Sequence, residues 1–249
     1  MNVAAAAAFV LAPALAIGSF LNVVVARVPA RRSILHPPSS CGACETEIAW
    51  RDNVPVVSYL LLRGRCRHCD ARISPLYPAV ELVTAALIVA CFAVFGATPW
   101  AALAAGFCAV LVALSVIDAQ HRIVPNRIVL PAAALALVAH TATDPSLAWL
   151  GWAIAASGGL FLVVLAYPKG LGMGDVKLAL LLGAMLGASV TVALMIGLLA
   201  ALVPSAVLFS RHGAAARKMG VPLVPFLALG AVVALFFGDA LLGAYLALF

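Results

Sequence analysis

Charge is the scarcest ingredient of this chain. Asp, Glu, Lys and Arg make up 10% of its 249 residues, where a soluble domain carries roughly a quarter. Hydrophobic residues reach 65% and mean hydropathy is +1.16, more apolar surface than a globular core of this length can hide. That excludes an ordinary soluble protein and makes lipid the solvent for much of the chain. A basic opening segment is also lacking, and Pro13 and Gly18-Ser19 interrupt the first apolar run. The start therefore reads as a retained span, not as a cleaved signal peptide. Outside one polar segment there is no soluble domain, no long linker and no clear internal repeat.

What is present is a series of apolar stretches long enough to cross ~30 Å of hydrocarbon as helix. They predict an all-α polytopic membrane protein with about eight transmembrane helices. The expected spans lie near 3–26, 79–97, 100–118, 127–143, 147–167, 175–188, 190–209 and 223–248. The net charge of +6 fits this layout, because all fifteen basic residues fall in or beside four polar segments. Arg27, Arg31, Arg32, Arg51, Arg63, Arg65, Arg67 and Arg72 share the first. Arg122 and Arg127 flank the second, Lys169 and Lys177 the third, and Arg211, Arg217 and Lys218 belong to the fourth. Eight spans beginning outside put residues 27–78, 119–126, 168–175 and 210–222 on one side, which the positive-inside rule makes the cytoplasm. The basic balance is thus topological, and no nucleic-acid partner is expected; the expected surroundings are membrane lipid.

Residues 27–78 are rich in Arg, Pro, Ser and Cys, too polar for a span and too short for much of a hydrophobic core. A domain this small needs a metal or disulfide staple. Cys41-Gly-Ala-Cys44 and Cys66-Arg-His-Cys69 supply two Cys-x-x-Cys pairs, each offering two thiolates to a tetrahedral zinc ion. The expectation is a structural zinc, since four thiolates leave no open coordination position for chemistry. The competing readings are free thiols or two disulfides, and His68 stands between ligands as a surface histidine. Cys91 and Cys108 sit alone in spans, where cysteine behaves as a small apolar side chain. The expected division is a first transmembrane helix (1–26), a cytoplasmic four-cysteine zinc-binding domain (27–78) and a transmembrane core (79–249).

Two of the nine acidic residues stand where lipid should forbid them. Asp118 closes the third span in Ser115-Val-Ile-Asp118, and Asp175 opens the sixth in Gly172-Met-Gly-Asp175-Val-Lys177. The topology puts both in one layer, at the cytoplasmic face. Two carboxylates sharing a site hold a single proton between them, which suits peptide hydrolysis: one draws a proton from water while the other polarises the scissile carbonyl. Glycines beside Asp175 let another backbone come close. The plainer alternative is that Asp118 caps or terminates a helix and that Asp175 is an N-cap-like residue favoured by the helix dipole. Asp144 and Asp239 read as outer-loop or terminal residues, and Asp52 and Asp70 belong to the cysteine domain. Glu81, just inside a span, is kept as a second-tier functional residue.

At this point the residues resemble the bacterial type IV prepilin peptidases, the leader peptidase/N-methyltransferases. The resemblance runs through Gly18-Ser-Phe-Leu-Asn-Val-Val24, Arg27-Val-Pro29, the cysteine quartet, Asp52-Asn-Val-Pro-Val-Val-Ser-Tyr59, Arg63-Gly-Arg-Cys66 and Tyr77-Pro-Ala-Val-Glu81. It continues through Asp118, the Gly172-x-Gly-Asp175-Val-Lys177-Leu motif and Pro225-Phe-Leu-Ala-Leu-Gly230. It implies catalytic Asp118 and Asp175, metal ligands Cys41, Cys44, Cys66 and Cys69, and an active site at the cytoplasmic face of the inner membrane. It also implies prepilin or type II pseudopilin substrates and methylation of the new N-terminus from S-adenosylmethionine. Gly18 falls in the motif linked to methylation. The chain departs from the family pattern at Val124-Pro125-Asn126, where Ile-Pro-Asp is usual, at Gly42 in the first knuckle, and at Leu223-Val224 before Pro225. No glycine-rich loop of the soluble methyltransferase kind is present, so a peptidase without methyl transfer is a second reading. A transporter or channel using the two aspartates is the reading from another class.

Overall fold

A computed structural model describes residues 3–167, 171–213 and 220–247, with side chains from residue 10 onward. The basic residues Lys169, Arg217 and Lys218 lie outside the described residues, as does Leu248 at the end of the last expected span. The helices are α1 (Val3–Arg27), α2 (Val57–Leu61), α3 (Leu76–Phe95), α4 (Pro99–His121), α5 (Asn126–Thr143), α6 (Ala148–Ala166), α7 (Met173–Leu186), α8 (Val190–His212) and α9 (Val224–Leu246). Apart from the short α2, each stands at an expected span. Among the described residues the only β pairing is two isolated bridges, Ser40–Glu47 and Arg65–Arg72.

By length and composition, six helical segments are apolar enough to cross a membrane: Val10–Arg27, Leu76–Phe95, Pro99–His121, Ala148–Ala166, Met173–His212 and Val224–Leu246. Two differences from the expected eight have local causes. The α5 helix carries Asn126, Arg127, His140, Thr141 and Thr143 within its 18 residues, which dilutes its hydropathy. The α7 helix has 14 residues, or ~21 Å of rise, short of the ~30 Å hydrocarbon core. It stops at Gly187, whose φ of +56° is left-handed, and a 3-10 turn (Gly187–Ser189) leads directly into α8. Large apolar side chains face outward along these helices; Leu162 and Val203 are 66% exposed and Phe237 61%. Such outward apolar faces on helices of this length suit a lipid surrounding.

The chain divides into two units, Met1–Ala113 and Leu114–Phe249, the boundary falling inside α4. In the first, α1 and α3 lie against each other at Gly18, where a Cβ would stand 2.7 Å from the Glu81 Cα. Only a residue without a side chain allows that approach, as at small-residue seams between membrane helices. Gly18 thus has a packing role, whatever its link to methylation. In the second unit, α5 and α6 pack on α7, and α8 packs on α9. The α7 face made by Leu178, Leu181, Leu182 and Met185 is almost fully buried, so this short helix forms the apolar centre of its unit.

Candidate active site and candidate metal centre

The four cysteines of the first unit come together. Their sulfurs all lie within 4.8 Å of one another, and Cys41 Sγ is 3.8 Å from Cys69 Sγ. Tetrahedral zinc with Zn–S bonds of ~2.3 Å requires sulfurs ~3.8 Å apart, so the donor set fits zinc. The thiols also need a cation. The Cys44 and Ala43 backbones hydrogen-bond the Cys41 sulfur and hold its pKa down to about 6. Cys69 accepts a lowering bond from the Ala71 backbone, yet desolvation and the neighbouring sulfurs push it up to about 12. Four thiolates this close do not ionise together without a positive ion.

Each knuckle is built by the same backbone bonds, and here the structure shows a repeat that sequence reasoning missed. Cys41 N–H donates to Thr46 O at 2.9 Å and Ile48 N–H to Ser39 O at 2.8 Å. Twenty-five residues on, Cys66 N–H donates to Ala71 O at 2.9 Å and Ile73 N–H to Gly64 O at 2.8 Å. Glu45 and Asp70, each just after the second cysteine of its pair, have φ of +56° and +55°. The signal was available as Cys-x-x-Cys-acid-x-x-Ile occurring twice. Aspartate and asparagine tolerate positive φ better than most side chains, so a short acid at this position suits the turn.

Outside the knuckles, Arg67 grips Asp52 with both ends of its guanidinium, Nε to Oδ2 at 2.8 Å and Nη2 to Oδ1 at 2.6 Å. This hydrogen-bonded charge holds the Asp52 carboxyl below its usual range. The Asp52–Tyr59 motif contains a strained turn. Val57 N–H reaches back to Pro55 O at 2.6 Å, with Val56 between them at φ 60°, ψ −48°. That is a γ-turn of the strained hand, rare for a β-branched residue. Glu81 Oε2 accepts the Val56 N–H at 2.7 Å. Glu81 is 7% exposed, so the residue retained as second-tier has a positional role: it ties the polar segment to α3. The spanning cysteines Cys91 and Cys108 are both buried, their sulfurs 3.9 Å apart.

In the second unit the structure brings the segments bearing the two aspartates together. Asp118 lies inside the last turn of α4, which continues to His121 instead of closing at the aspartate. Its carboxylate is buried and accepts the Val224 N–H, the first of α9, at 3.1 Å. Asp175 is the third residue of α7, not its cap. Its carboxylate accepts the Gly172 N–H at 3.1 Å. Each carboxylate thus satisfies a backbone donor at a helix N-terminus, Asp118 that of α9 and Asp175 that of its own α7. The Asp118 carboxylate is also in electrostatic range of Asp175, and Arg122 in range of Asp118.

Two further contacts hold these segments in register. A Cβ on Gly174 would stand 2.9 Å from Val124 Cγ2, so glycine is what allows the start of α7 to sit against the α4–α5 turn. Two residues past Val124 and three past Gly174, Lys177 Nζ donates to Asn126 Oδ1 at 2.9 Å. Sequence reasoning identified the glycines and the lysine as a motif but found neither partner. Asp239, expected at an outer terminus, instead sits in α9 and accepts the Ser189 hydroxyl at 2.8 Å.

Comparison with known proteins adds the following. The bacterial peptidase A24 N-terminal domain matches residues 13–95, and the type IV leader peptidase family matches residues 105–248. A prepilin leader peptidase/N-methyltransferase of Bacillus subtilis is 32% identical, over 93% of this chain and 94% of the relative. The proteins of that name from Burkholderia pseudomallei strain 1026b and Pseudomonas aeruginosa are 35% and 33% identical. They too align over 93% of this chain, and over 85% and 90% of their own lengths. No solved structure matches the chain.

Proposed function

The chain belongs to the type IV leader peptidase family, and from that membership we propose that it is a membrane-embedded aspartyl endopeptidase. It cuts the short basic leader from prepilins or type II secretion pseudopilins, at the cytoplasmic face of the inner membrane, with Asp118 and Asp175 as the catalytic pair. It then methylates the new N-terminal amine with S-adenosylmethionine as donor. Methylation rests on the name its relatives carry, and no residue of this chain is assigned to holding the donor.

The observation that supports the proteolytic reading is the joining of the two segments that bear Asp118 and Asp175, at Val124–Gly174 and Asn126–Lys177, with the carboxylates in electrostatic range. Two carboxylates in range of one another share a proton. The ionised one takes a proton from water as its oxygen adds to the scissile carbonyl carbon, and the protonated one hydrogen-bonds the carbonyl oxygen. Return of a proton to the amide nitrogen breaks the C–N bond, leaving a carboxylate on the leader and a free amine on the pilin. Zinc held by Cys41, Cys44, Cys66 and Cys69 would supply a cross-link for the polar segment and, with four thiolate ligands, would have no open position for hydrolysis. Family membership leaves the transporter reading without support.

The test is cleavage of a purified prepilin by the wild type, Asp118→Asn and Asp175→Asn in detergent, without an ion gradient. Loss of cleavage in each folded variant is the expected result. A normal rate in either removes the aspartyl pair from the mechanism.

A further inference from the structure

Lys177 directs its ammonium to a neutral partner across the chain. It is the fifth residue of α7, and the residue it reaches, Asn126, is the first of α5. Both helix N-termini present positive dipole ends, which disfavour a cation. Among the described residues the only ion pair is Arg67–Asp52, so no carboxylate lies within ion-pair distance of the ammonium. Its partner is the neutral Asn126 amide oxygen, 51 residues away, at 2.9 Å. A hydrogen bond from a charged side chain to a partner on another segment points to a role in register.

That register spans the candidate active site. The segment 118–126 carries Asp118 at one end and Asn126 at the other; the segment 174–177 carries Gly174, Asp175 and Lys177. Between them run the electrostatic approach of the aspartates, the contact of Val124 with Gly174, and the Lys177–Asn126 hydrogen bond. The turn itself is constrained: Arg122 has φ +55°, and its N–H donates to Asp118 O at 2.8 Å. A van der Waals contact resists only approach, whereas a hydrogen bond resists separation. The other polar contact between α5 and α7, His140 Nε2 with Met185 O at 3.2 Å, lies near their far ends, so Lys177–Asn126 is the described hydrogen bond that joins their starts.

We infer that Lys177 and Asn126 form a positioning latch that sets Asp118 against Asp175 for the hydrolysis proposed above; the inference rests on that reading. Lys177 is a positioning residue here, acting through the aspartates. An asparagine at 126 gives the latch an acceptor without adding a third carboxylate beside the pair. An aspartate there would keep the acceptor and turn the bond into an ion pair.

The experiment is a double-mutant cycle on the full-length, zinc-loaded protein, with kcat and KM for cleavage of a purified prepilin measured for Lys177→Met, Asn126→Ala, the double variant and Asn126→Asp. Each single variant is expected to lose roughly tenfold in kcat with KM within about twofold, as for a misplaced catalytic pair. The double variant is expected to lose about the same tenfold, since one bond is broken only once. Asn126→Asp should stay within about threefold of wild type, and the kcat–pH profiles of the single variants should keep their shape. The latch is overturned if the double loss equals the product of the single losses. It is also overturned if KM rises with kcat intact, or if Asn126→Asp is as impaired as Asn126→Ala. Should Lys177→Met fail to fold, the contrast between the two Asn126 variants decides the matter alone. Failure of the aspartyl reading is distinguishable, because it appears as cleavage by Asp118→Asn or Asp175→Asn whatever the latch variants do.

Discussion

The buried carboxylate of Asp118 accepts the backbone N–H of Val224 at 3.1 Å, across 106 residues of chain. One side chain thus satisfies an otherwise orphaned donor at the start of α9 and stands in range of Asp175. Structure and proposed chemistry share this group, so substitutions must be chosen to separate them. Asp118→Asn keeps a side-chain oxygen for Val224 and should retain the wild-type unfolding midpoint in detergent while losing cleavage. Asp118→Ala leaves the Val224 N–H without its partner and should lose cleavage and, in addition, about 1–3 kcal/mol of stability. Equal stability of the two variants would show that the hydrogen bond contributes nothing.

At Gly174 the expected effect is steric. A methyl group there meets Val124 Cγ2 at 2.9 Å, so Gly174→Ala should push the start of α7 away from the α4–α5 turn, at a cost on the order of 1–3 kcal/mol. Cleavage should fall with it. Trimming the opposing side chain in Gly174→Ala/Val124→Ala should restore much of the rate. A double variant no better than the single would place the defect elsewhere.

For the metal centre, elemental analysis of the purified protein should find one zinc per chain, and Cys44→Ser should lower that content. Loss of the ion should expose residues 28–75 to protease, because a segment this short and polar has little else to hold it. Prepilin cleavage should persist within about tenfold, since a four-thiolate site has no open position. Metal-free protein with intact protection of this segment would contradict the staple.

The strained turn at Val56 gives a fourth expectation. Glu81→Ala removes the acceptor of the Val56 N–H, so amide exchange across residues 53–58 should accelerate, while Glu81→Gln, which keeps an oxygen, should change it less. Val56→Gly should relieve part of a strain worth roughly 1–3 kcal/mol and slow exchange in the same segment. Unchanged exchange in Glu81→Ala would mean that the turn holds itself.

Much of this architecture was legible in residue order because the determinants are local. Whether a stretch is apolar over a membrane's thickness, or carries two cysteines at a ligand spacing, depends on neighbours alone. The cysteine quartet and the helices follow from such features. The sequence reading went astray where length met context. Asp118 seemed to end its helix and Asp175 to begin one, yet α4 runs on to His121 and α7 starts at Met173. A polar residue at a helix end and one turn inside it look alike in one dimension.

The chain by itself determined the solvent, the placement of the helices and the residue types able to bind metal or move protons, because each is set by composition over a few turns. Only the tertiary structure decided which of those residues meet. Asp118 with Val224, Lys177 with Asn126 and Gly18 with the Glu81 backbone are contacts across 106, 51 and 63 residues. Such pairings are fixed by how helices pack side by side, where a single missing Cβ sets the distance between two backbones, and residue order carries no direct record of that distance.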